Sequence, residues 1–345
     1  MKPIIAITMG DPAGIGAEVT VRALAHSALY QICTPLVIGS AEALADANRF
    51  TRAGLVLREV SAPDEAQGIY GTLDYLDPAP LAPGVYMPGK VSAACGDAAF
   101  SYITHGIGLA QSGAVSAVVT GPINKEALNL AGHHFDGHTE IFAHYTGTKK
   151  YAMLLASGNL RVIHVTTHVS LRQACDLVRA PRVLDTIHLA VRALRELGIP
   201  DGRIAVAGLN PHASDNGLFG EEEAREILPA VEAARAEGIH VTGPVPPDSV
   251  FVRAMGGEFD IVVAMYHDQG HIPLKLAGFR MDPATGKYES MSGINTTIGL
   301  PIIRTSVDHG TAFDRAGCGV ANEGSMVEAI EVAVQMANAK AGGLC

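Results

Sequence analysis

Residues 204–212 read Ile-Ala-Val-Ala-Gly-Leu-Asn-Pro-His, a short apolar run followed by a polar turn and a histidine. Residues 161–168 (Arg-Val-Ile-His-Val-Thr-Thr-His) and 261–267 (Ile-Val-Val-Ala-Met-Tyr-His) repeat this order. Runs this continuously apolar are typical of strands in a sheet covered on both faces, where pairing is mostly parallel. Three more apolar runs, at 4–9, 35–39 and 117–120, extend the set of predicted strands.

Amphipathic helices are predicted between these strands, at 41–52, 96–111, 182–197 and 221–237. Strands that alternate with helices indicate a doubly wound α/β architecture with mostly parallel sheets. Since 345 residues are many for one compact core, we expect two α/β lobes that share a cleft. We assign 1–135 plus 305–345 to the first lobe and 136–304 to the second. The polar, turn-rich segment 280–292 predicts an exposed loop or hairpin.

Composition narrows the class of protein. A formal net charge of -10 argues against a nucleic acid or an anionic membrane as the partner. The five cysteines are widely spaced and odd in number, which favours a reduced, cytoplasmic setting. The first residues are typical of a strand rather than an export signal, and no apolar stretch predicts a membrane span.

The three histidines that follow predicted strands carry the strongest functional signal. His168, His212 and His267 each lie just beyond the carboxyl end of a strand. In an open parallel sheet these ends face one crevice, where ligands bind. Three imidazoles that meet there could bind one divalent metal such as zinc or cobalt, or manganese or magnesium with substrate oxygens completing the shell. The alternative for each histidine is a hydrogen-bonded turn residue.

A second group of residues is suited to an anion. His138 and Thr139 open a predicted helix, whose free N–H groups and dipole favour a negative ligand. Lys275, Asn295 and Arg304 follow along the chain, and a phosphate or carboxylate would explain such donors near a metal cleft. The alternative for Lys275 and Arg304 is an ordinary solvated or salt-bridged side chain.

The first strand leads into a glycine-rich turn, residues 9–16 (Met-Gly-Asp-Pro-Ala-Gly-Ile-Gly). The turn has neither the Gly-Lys-Ser/Thr of a P-loop nor the GxGxxG pattern of a dinucleotide fold. We interpret it as a ligand-facing turn formed by Gly10, Asp11, Gly14 and Gly16. Asp11 could be catalytic or could cap the helix that follows.

Taken together, these motifs resemble the 4-hydroxythreonine-4-phosphate dehydrogenase (PdxA) family. The resemblance spans nearly the whole chain and rests on residues 8–16, 120–125, 137–140, 167–168, 208–213, 264–270 and 303–310. It implies an isocitrate/isopropylmalate dehydrogenase-like fold and a homodimer with a shared active site. It also implies that His168 and His212 bind a divalent metal together with His267 from the partner subunit. The family's substrate-binding positions fall on His138, Thr139, Lys275, Asn295 and Arg304.

The resemblance further implies the chemistry. The expected reaction is NAD- or NADP-dependent oxidation and decarboxylation of a 4-phosphorylated 3-hydroxy acid, which in the family serves pyridoxal phosphate synthesis. The metal would lower the pKa of the substrate hydroxyl, and the cofactor would accept the hydride. Asp248 or Asp268 could act as the general base or could orient a histidine ligand.

Four phrases are closer to the family branch that acts on D-threonate or D-erythronate 4-phosphate and yields dihydroxyacetone phosphate and CO2. They are residues 124–128, 217–220, 270–275 and 311–314. The segment 280–292 matches neither branch, which leaves the substrate open and keeps a dihydrodiol dehydrogenase as an alternative. Outside this class, a metal-dependent hydrolase or lyase, or a sugar-acid-phosphate sensor, could use the same cleft.

Overall fold

The computed structural model describes residues 2–281, 283 and 288–343, and the backbone alone for 288–291. The chain divides into two compact units, one formed by Met1–Lys149 with Leu300–Asn338 and the other by Lys150–Gly299 with Ala339–Cys345. These limits differ from the predicted 135/136 and 304/305. The helix that begins at His138 belongs to the first unit because its Ile141 and Phe142 pack into that unit's core.

The strands are mostly short and buried. In chain order they are β1 (Ile4–Thr8), β2 (Thr34–Ile38), β3 (Val56–Glu59), β4 (Thr72–Leu76), β5 (Ala117–Thr120), β6 (Ala152–Ser157), β7 (Leu160–His164), β8 (Ile204–Ala207), β9 (Val241–Val245), β10 (Ile261–Ala264), β11 (Phe279–Met281), β12 (Tyr288–Met291), β13 (Ile294–Ile298) and β14 (Arg304–Val307).

Helices fill most of the intervals between the strands. They are α1 (Gly16–Leu24), α2 (Leu29–Ile32), α3 (Ala41–Thr51), α4 (Ala93–Gln111), α5 (Lys125–Leu130), α6 (His138–Thr146), α7 (Leu171–Leu177), α8 (Ala180–Glu196), α9 (Leu228–Ala236), α10 (Pro247–Met255), α11 (His267–Gly278) and α12 (Gly324–Ala341). Short 3-10 turns lie at Pro63–Glu65 and Pro211–Asp215, and a π-helical turn, Glu223–Ile227, leads into α9.

In the first unit the strand order is β3-β4-β2-β1-β5-β14, and every pair is parallel. Its core lies beneath α4 and α6, where Ile103, Ile107 and Val118 meet Phe142. Caps define several helix starts in both units. Ser40 accepts a hydrogen bond from the N–H of Ala43 at the start of α3, as Ser and Asn side chains commonly do at an N-cap.

In the second unit the strand order is β13-β6-β7-β10-β8-β9. The β7, β10, β8 and β9 strands are parallel, whereas β6 pairs antiparallel with both β7 and β13. The prediction of α/β units with mostly parallel sheets is therefore confirmed, and the antiparallel edge is an addition to it. The carboxyl ends of β7, β10 and β8 lie side by side, and each leads into one of the three histidines.

The predicted loop or hairpin at 280–292 contains the antiparallel pair of β11 and β12, which is a hairpin pairing. Residues 282 and 284–287 of that segment lie outside the described residues, as does Cys345. The other four cysteines are free thiols. Among the described residues, no helix combines the length and the apolar character that crossing a bilayer requires.

Candidate active site

The turns that carry His168 and His267 are held next to each other by backbone pairing beyond the strand ends. The N–H of Val165 donates to the carbonyl of Ala264, 2.8 Å away. The hydroxyl of Thr166 then donates to the carbonyl of Met265 at 2.8 Å. As a result, the ring centres of His168 and His267 lie 5.9 Å apart, with an angle of 45° between the ring planes.

This separation suits two imidazoles that share one metal ion. With metal–nitrogen bonds of about 2.1 Å, two rings on one ion have centres roughly 5 to 6 Å apart. His267 Nδ1 is 2.6 Å from Asp268 Oδ1. A carboxylate that accepts the Nδ1 proton leaves Nε2 as the metal-binding atom, a common arrangement around histidine ligands. The donor set therefore fits a divalent transition metal.

A cavity of about 440 Å³ opens in front of these two histidines. Its lining includes Thr167, Ser170, Tyr266 and Asp268 as well as the two imidazoles. The ring of His267 is held further by His271. The two rings are stacked, with centres 3.6 Å apart and an interplanar angle of 11°. His271 also donates from Nδ1 to the carbonyl of His267 at 2.9 Å.

His212 lies on an unusual turn after β8. Five consecutive non-glycine residues, from His212 to Asn216, have φ between 47° and 72°, in the left-handed region. Left-handed helical geometry costs roughly 1–2 kcal/mol per L-residue. Such strain persists only where surrounding contacts impose it, and it clusters at functional sites. The His212 side chain is exposed at this turn.

Glu223 holds the two residues, Leu209 and Asn210, that lead into this turn. The residue is 4% exposed, and its carboxylate accepts hydrogen bonds from the backbone N–H of Leu209 at 2.8 Å and of Asn210 at 2.7 Å. The Asn210 side chain donates to the same carboxylate at 2.9 Å. Glu223 opens the π-helical turn before α9, and π turns inserted at helices are frequent at functional sites.

The structure thus brings His168 and His267 together, whereas His212 stands on its own turn. Within the part of the chain that the structure describes, no group of three or more His, Cys, Asp or Glu side chains is arranged to hold a metal. Convergence of all three histidines therefore stays a prediction. The resemblance assigns one of these ligands to a partner subunit, and such a site would be incomplete in one chain.

The residues predicted to bind an anion belong to two different units of the chain. In the first unit, Arg304 is 2% exposed, and its Nη2 donates to Thr120 Oγ1 at 2.8 Å. Burial lowers the pKa of Arg304 to about 9, although the carboxylate of Glu140 acts in the opposite direction. A buried guanidinium is suited to an anionic ligand, since a negative charge offsets its loss of hydration.

His138 lies close to this arginine as the first residue of α6. Its pKa falls well below the ordinary value because the ring is buried and because the Arg304 cation is near. The imidazole is therefore neutral, and its Nε2 has no hydrogen-bond partner among the described residues. Thr139 follows it in the first helical turn, half-buried. The helix N-terminus adds a positive dipole to the same group.

Lys275 and Asn295 belong to the second unit. The ammonium of Lys275 on α11 lies 4.5 Å from the ring centre of Phe279, a cation–π distance. Asn295 is on β13, and its Oδ1 is buried without a hydrogen-bond partner in the described part of the chain. A buried amide oxygen of this kind is available to accept a hydrogen bond from a ligand or from water.

The two proposed general bases differ in their surroundings. Asp268 is exposed and bonded to His267, which supports an orienting role for its carboxylate. Asp248 is exposed in the first turn of α10. Neither assignment as a base is tested by this geometry.

The glycine-rich turn of the first unit is buried rather than open. A Cβ at Gly10 would lie 2.1 Å from the carbonyl of Pro122, and one at Gly16 would lie 2.0 Å from that of Met9. Gly14 lies against Thr311 in the same way. These glycines therefore permit close backbone packing. Asp11 caps the turn by accepting from the N–H of Ala13 at 2.8 Å, and burial raises its pKa to about 6.

Sequence reasoning missed the residues that hold the site. Gln269 follows the recognised His267-Asp268 pair directly, and Glu223 lies eleven residues after His212. A buried amide in the first turn of a helix gives no periodic signal, and Glu223 is one of three consecutive glutamates that the sequence does not distinguish. Only their backbone partners, which are distant in sequence, reveal their roles.

Parallel α/β units with a pair of imidazoles at the carboxyl ends of strands define an α/β enzyme for a small ligand. The family model "Pyridoxal phosphate biosynthetic protein PdxA" matches residues 31–333, and the chain belongs to this family. The predicted resemblance is therefore confirmed.

Individual relatives agree over nearly their whole lengths. The D-threonate 4-phosphate dehydrogenase of Cupriavidus necator is 48% identical over 340 residues, 98% of each chain. The 4-hydroxythreonine-4-phosphate dehydrogenase of Desulfosudis oleivorans is 48% identical over 341 residues, 97% of this chain and 96% of the relative. The crystal structure of 4-hydroxythreonine-4-phosphate dehydrogenase from Klebsiella pneumoniae is 49% identical, covers 98% of each chain and has a TM-score of 0.85. The chain is accordingly an oxidoreductase of the dehydrogenase type.

Proposed function

We propose that this protein is an NAD-linked, divalent-metal-dependent dehydrogenase that oxidises and decarboxylates a 4-phosphorylated 3-hydroxy acid, with D-threonate 4-phosphate as the preferred substrate. The observation that carries the proposal is the pair of imidazoles of His168 and His267, 5.9 Å apart at the carboxyl ends of adjacent parallel strands. The name of the Cupriavidus necator relative and the four branch-specific phrases favour the threonate.

His168, His212 and His267 would hold the metal, with zinc, cobalt, manganese and magnesium as the candidates. When bound, the ion supplies Lewis acidity to the substrate hydroxyl, and the nicotinamide cofactor supplies the hydride acceptor. C3 of the substrate would transfer its hydrogen as a hydride to NAD, and the 3-hydroxyl would lose its proton to a base, which yields a 3-keto acid. That β-keto acid then loses its carboxylate as CO2, and C2 takes up a proton in its place to leave a ketone phosphate.

The protein groups bind and orient the substrate. Arg304, His138 and Thr139 would bind the phosphate, since a desolvated cation, a neutral imidazole and a helix N-terminus favour a dianion. Lys275 and Asn295 are the further substrate contacts, where an ammonium and an amide suit a carboxylate and a hydroxyl. Asp268 orients His267, and Asp248 is the candidate base that does not bind a histidine.

A second candidate substrate is 4-hydroxythreonine 4-phosphate, supported by the name of the Desulfosudis oleivorans relative at the same 48% identity. The two acids share a phosphate, a carboxylate and the oxidised hydroxyl. They differ in the substituent beside the carboxylate, which is a hydroxyl in one and an amino group in the other. The proposed site therefore accommodates the reaction of either acid.

We also propose a homodimer in which two chains complete each active site. The three imidazoles are exposed or half-buried at the surface of the second unit. The helix that begins at His267 also exposes Ile272 by 58% and Leu276 by 78%. Large apolar side chains next to an incomplete metal site are suited to burial against a second copy.

A substrate panel tests the activity. The purified protein is assayed with NAD or NADP and each metal on three substrates: D-threonate 4-phosphate, D-erythronate 4-phosphate and 4-hydroxythreonine 4-phosphate. We expect reduced nicotinamide to form fastest with D-threonate 4-phosphate, with equimolar release of CO2, and not to form after chelation of the metal. If the protein oxidised an aromatic dihydrodiol but none of the three phosphorylated acids, the dihydrodiol dehydrogenase alternative would replace this proposal. Hydrolysis without nicotinamide reduction would support the rival metal-dependent hydrolase.

A further inference from the structure

The buried side chain of Gln269 joins two strand ends of the second unit. It is 9% exposed in the first turn of α11. Its Oε1 accepts a hydrogen bond from the N–H of Met265 at 2.6 Å. Its Nε2 donates to the carbonyl of Gly208 at 2.7 Å. One amide group therefore ties the carboxyl end of β10 to the carboxyl end of β8.

Both tied residues lead directly into candidate metal ligands. Met265 precedes His267 by two residues, and Gly208 precedes His212 by four. Gly208 is also tightly packed. A Cβ placed there would lie 2.8 Å from Cα of Ala213 and 3.2 Å from Glu223 Oε1. The left-handed turn thus folds back on Gly208, and a displacement of Gly208 would displace His212.

The chemistry requires a neutral amide at this position. Gln can accept from one backbone N–H and donate to one backbone carbonyl at the same time. A glutamate keeps the acceptor for Met265 but directs a carboxylate at the carbonyl of Gly208. A methionine of similar length provides neither bond. Both changes leave a buried backbone group without its partner.

We propose that Gln269 is a positioning residue for metal ligands: it fixes the His212 turn relative to the His267 turn of the same chain, whether these two histidines serve one metal centre or the two centres of a dimer. This inference rests on the proposed function, because it takes both histidines as metal ligands. Outer residues that orient metal ligands typically contribute 10- to 100-fold to metal affinity. If the hydrogen bonds of Gln269 only stabilised the fold, their loss would leave the metal affinity of the folded protein unchanged.

The test measures Co2+ binding to the metal-free full chain by calorimetry and by the visible absorption of bound cobalt. We expect Gln269→Met and Gln269→Glu to weaken Co2+ binding roughly 10- to 100-fold and to change the absorption bands. The matched control is Asn48→Leu in the first unit. The Asn48 amide donates to the carbonyl of Leu55 at 2.7 Å and accepts from its N–H at 3.0 Å. This control should lose thermal stability but bind Co2+ like the wild type.

The outcomes separate this inference from the proposed function. If the wild type binds no Co2+, or if binding is unaffected in both His212→Ala and His267→Ala, the metal site and this inference fail together. If the wild type binds through these histidines and Gln269→Met binds equally well, the inference alone is overturned. Should Gln269→Met not fold, Gln269→Glu decides the question, since it keeps the bond to Met265. Unchanged Co2+ binding by Gln269→Glu would exclude the Gly208 bond as the positioning contact.

Discussion

At the scale of single residues, Arg304 shows why a buried cation indicates a ligand. A guanidinium removed from water is destabilised unless negative charge and hydrogen bonds replace the water. Burial lowers the pKa of Arg304 to about 9 although the Glu140 carboxylate acts in the opposite direction, and the guanidinium donates to the hydroxyl of Thr120. The sequence could not distinguish this arginine from a solvated one, because burial depends on β14 lying next to β5.

Replacement of Arg304 by methionine should raise the KM for the phosphorylated substrate by about 10- to 100-fold, with a smaller effect on kcat. The reason is that charge-assisted hydrogen bonds contribute about 1.5–3 kcal/mol each. Steady-state kinetics with and without the substrate phosphate measures the effect. Arg161→Met is the control, since burial also lowers the pKa of Arg161 but the residue lies at the amino end of β7. An unchanged KM in Arg304→Met would place the phosphate elsewhere.

Asp11 gives a prediction of pH dependence. Its pKa rises from 3.8 to about 6 on folding, so the folded protein holds a proton that the unfolded chain releases. The stability that this proton contributes is complete below pH 3.8 and is lost as the pH rises through about 6. Asp11→Asn keeps an acceptor for the N–H of Ala13 and removes the charge.

The variant Asp11→Asn should therefore be more stable than the wild type by about 3 kcal/mol at pH 8, and by much less at pH 4. Urea unfolding at the two pH values measures the difference. Asp46→Asn, which removes an acid from a surface ion pair on α3, should show no such gain at high pH. An equal effect of Asp11→Asn at both pH values would contradict the assigned burial of the charge. Loss of activity in the stabilised variant would support the catalytic alternative for Asp11.

At the scale of elements, the left-handed turn of residues 212–216 combines strain with function. Ala213 has φ 53°, where an L-residue is disfavoured and glycine is not. Ala213→Gly should raise the free energy of unfolding by roughly 0.5–1 kcal/mol, because relief of strain exceeds the added entropy of the unfolded chain. Denaturant unfolding measures it. The control Ala207→Gly, within the buried strand β8, should lower stability instead.

A destabilising effect of Ala213→Gly would contradict the assigned backbone conformation. The β-branched Ala213→Val should lower stability, since it raises the cost of the left-handed region at the same position. The Cα of Ala213 also lies close to Gly208, so the larger valine side chain would be crowded against the end of β8.

The elements that could be predicted are those whose own residues carry the signal. The apolar runs predicted the limits of β1, β5, β8 and β10 to within about one residue. This was possible because a strand that is buried on both faces consists of consecutive apolar residues. The apolar part of residues 161–168 located β7, but its antiparallel partner β6 was missed. Pairing direction depends on the tight connection through Gly158, which has a positive φ of 54°. The left-handed turn was also missed, since Asn-Pro-His-Ala-Ser has no glycine to indicate it.

At the scale of the whole molecule, the candidate site was predicted through topology rather than through contacts. Placing histidines at the ends of parallel strands correctly brought His168 and His267 into proximity. The fastening groups Gln269 and Glu223 could not be foreseen, because their roles exist only when β8, β10 and the helices are assembled. His212 stands on its own turn, and the metal site that it serves could be completed by the same chain or by a second chain. The two cases predict different active sites in a dimer.

Co-expression of two differently tagged chains answers that question. If each site combines His168 of one chain with His267 of the other, a purified dimer of His168→Ala with His267→Ala contains one intact site. It should then show about half the wild-type activity per dimer, although each variant alone is inactive. The control is a dimer of one wild-type chain with one chain that carries both substitutions. If each site combines histidines from two chains, this control dimer has no intact site. If instead both histidines of one chain serve one site, as their 5.9 Å separation permits, the two results exchange. Failure of the tagged chains to purify together would contradict the dimer itself.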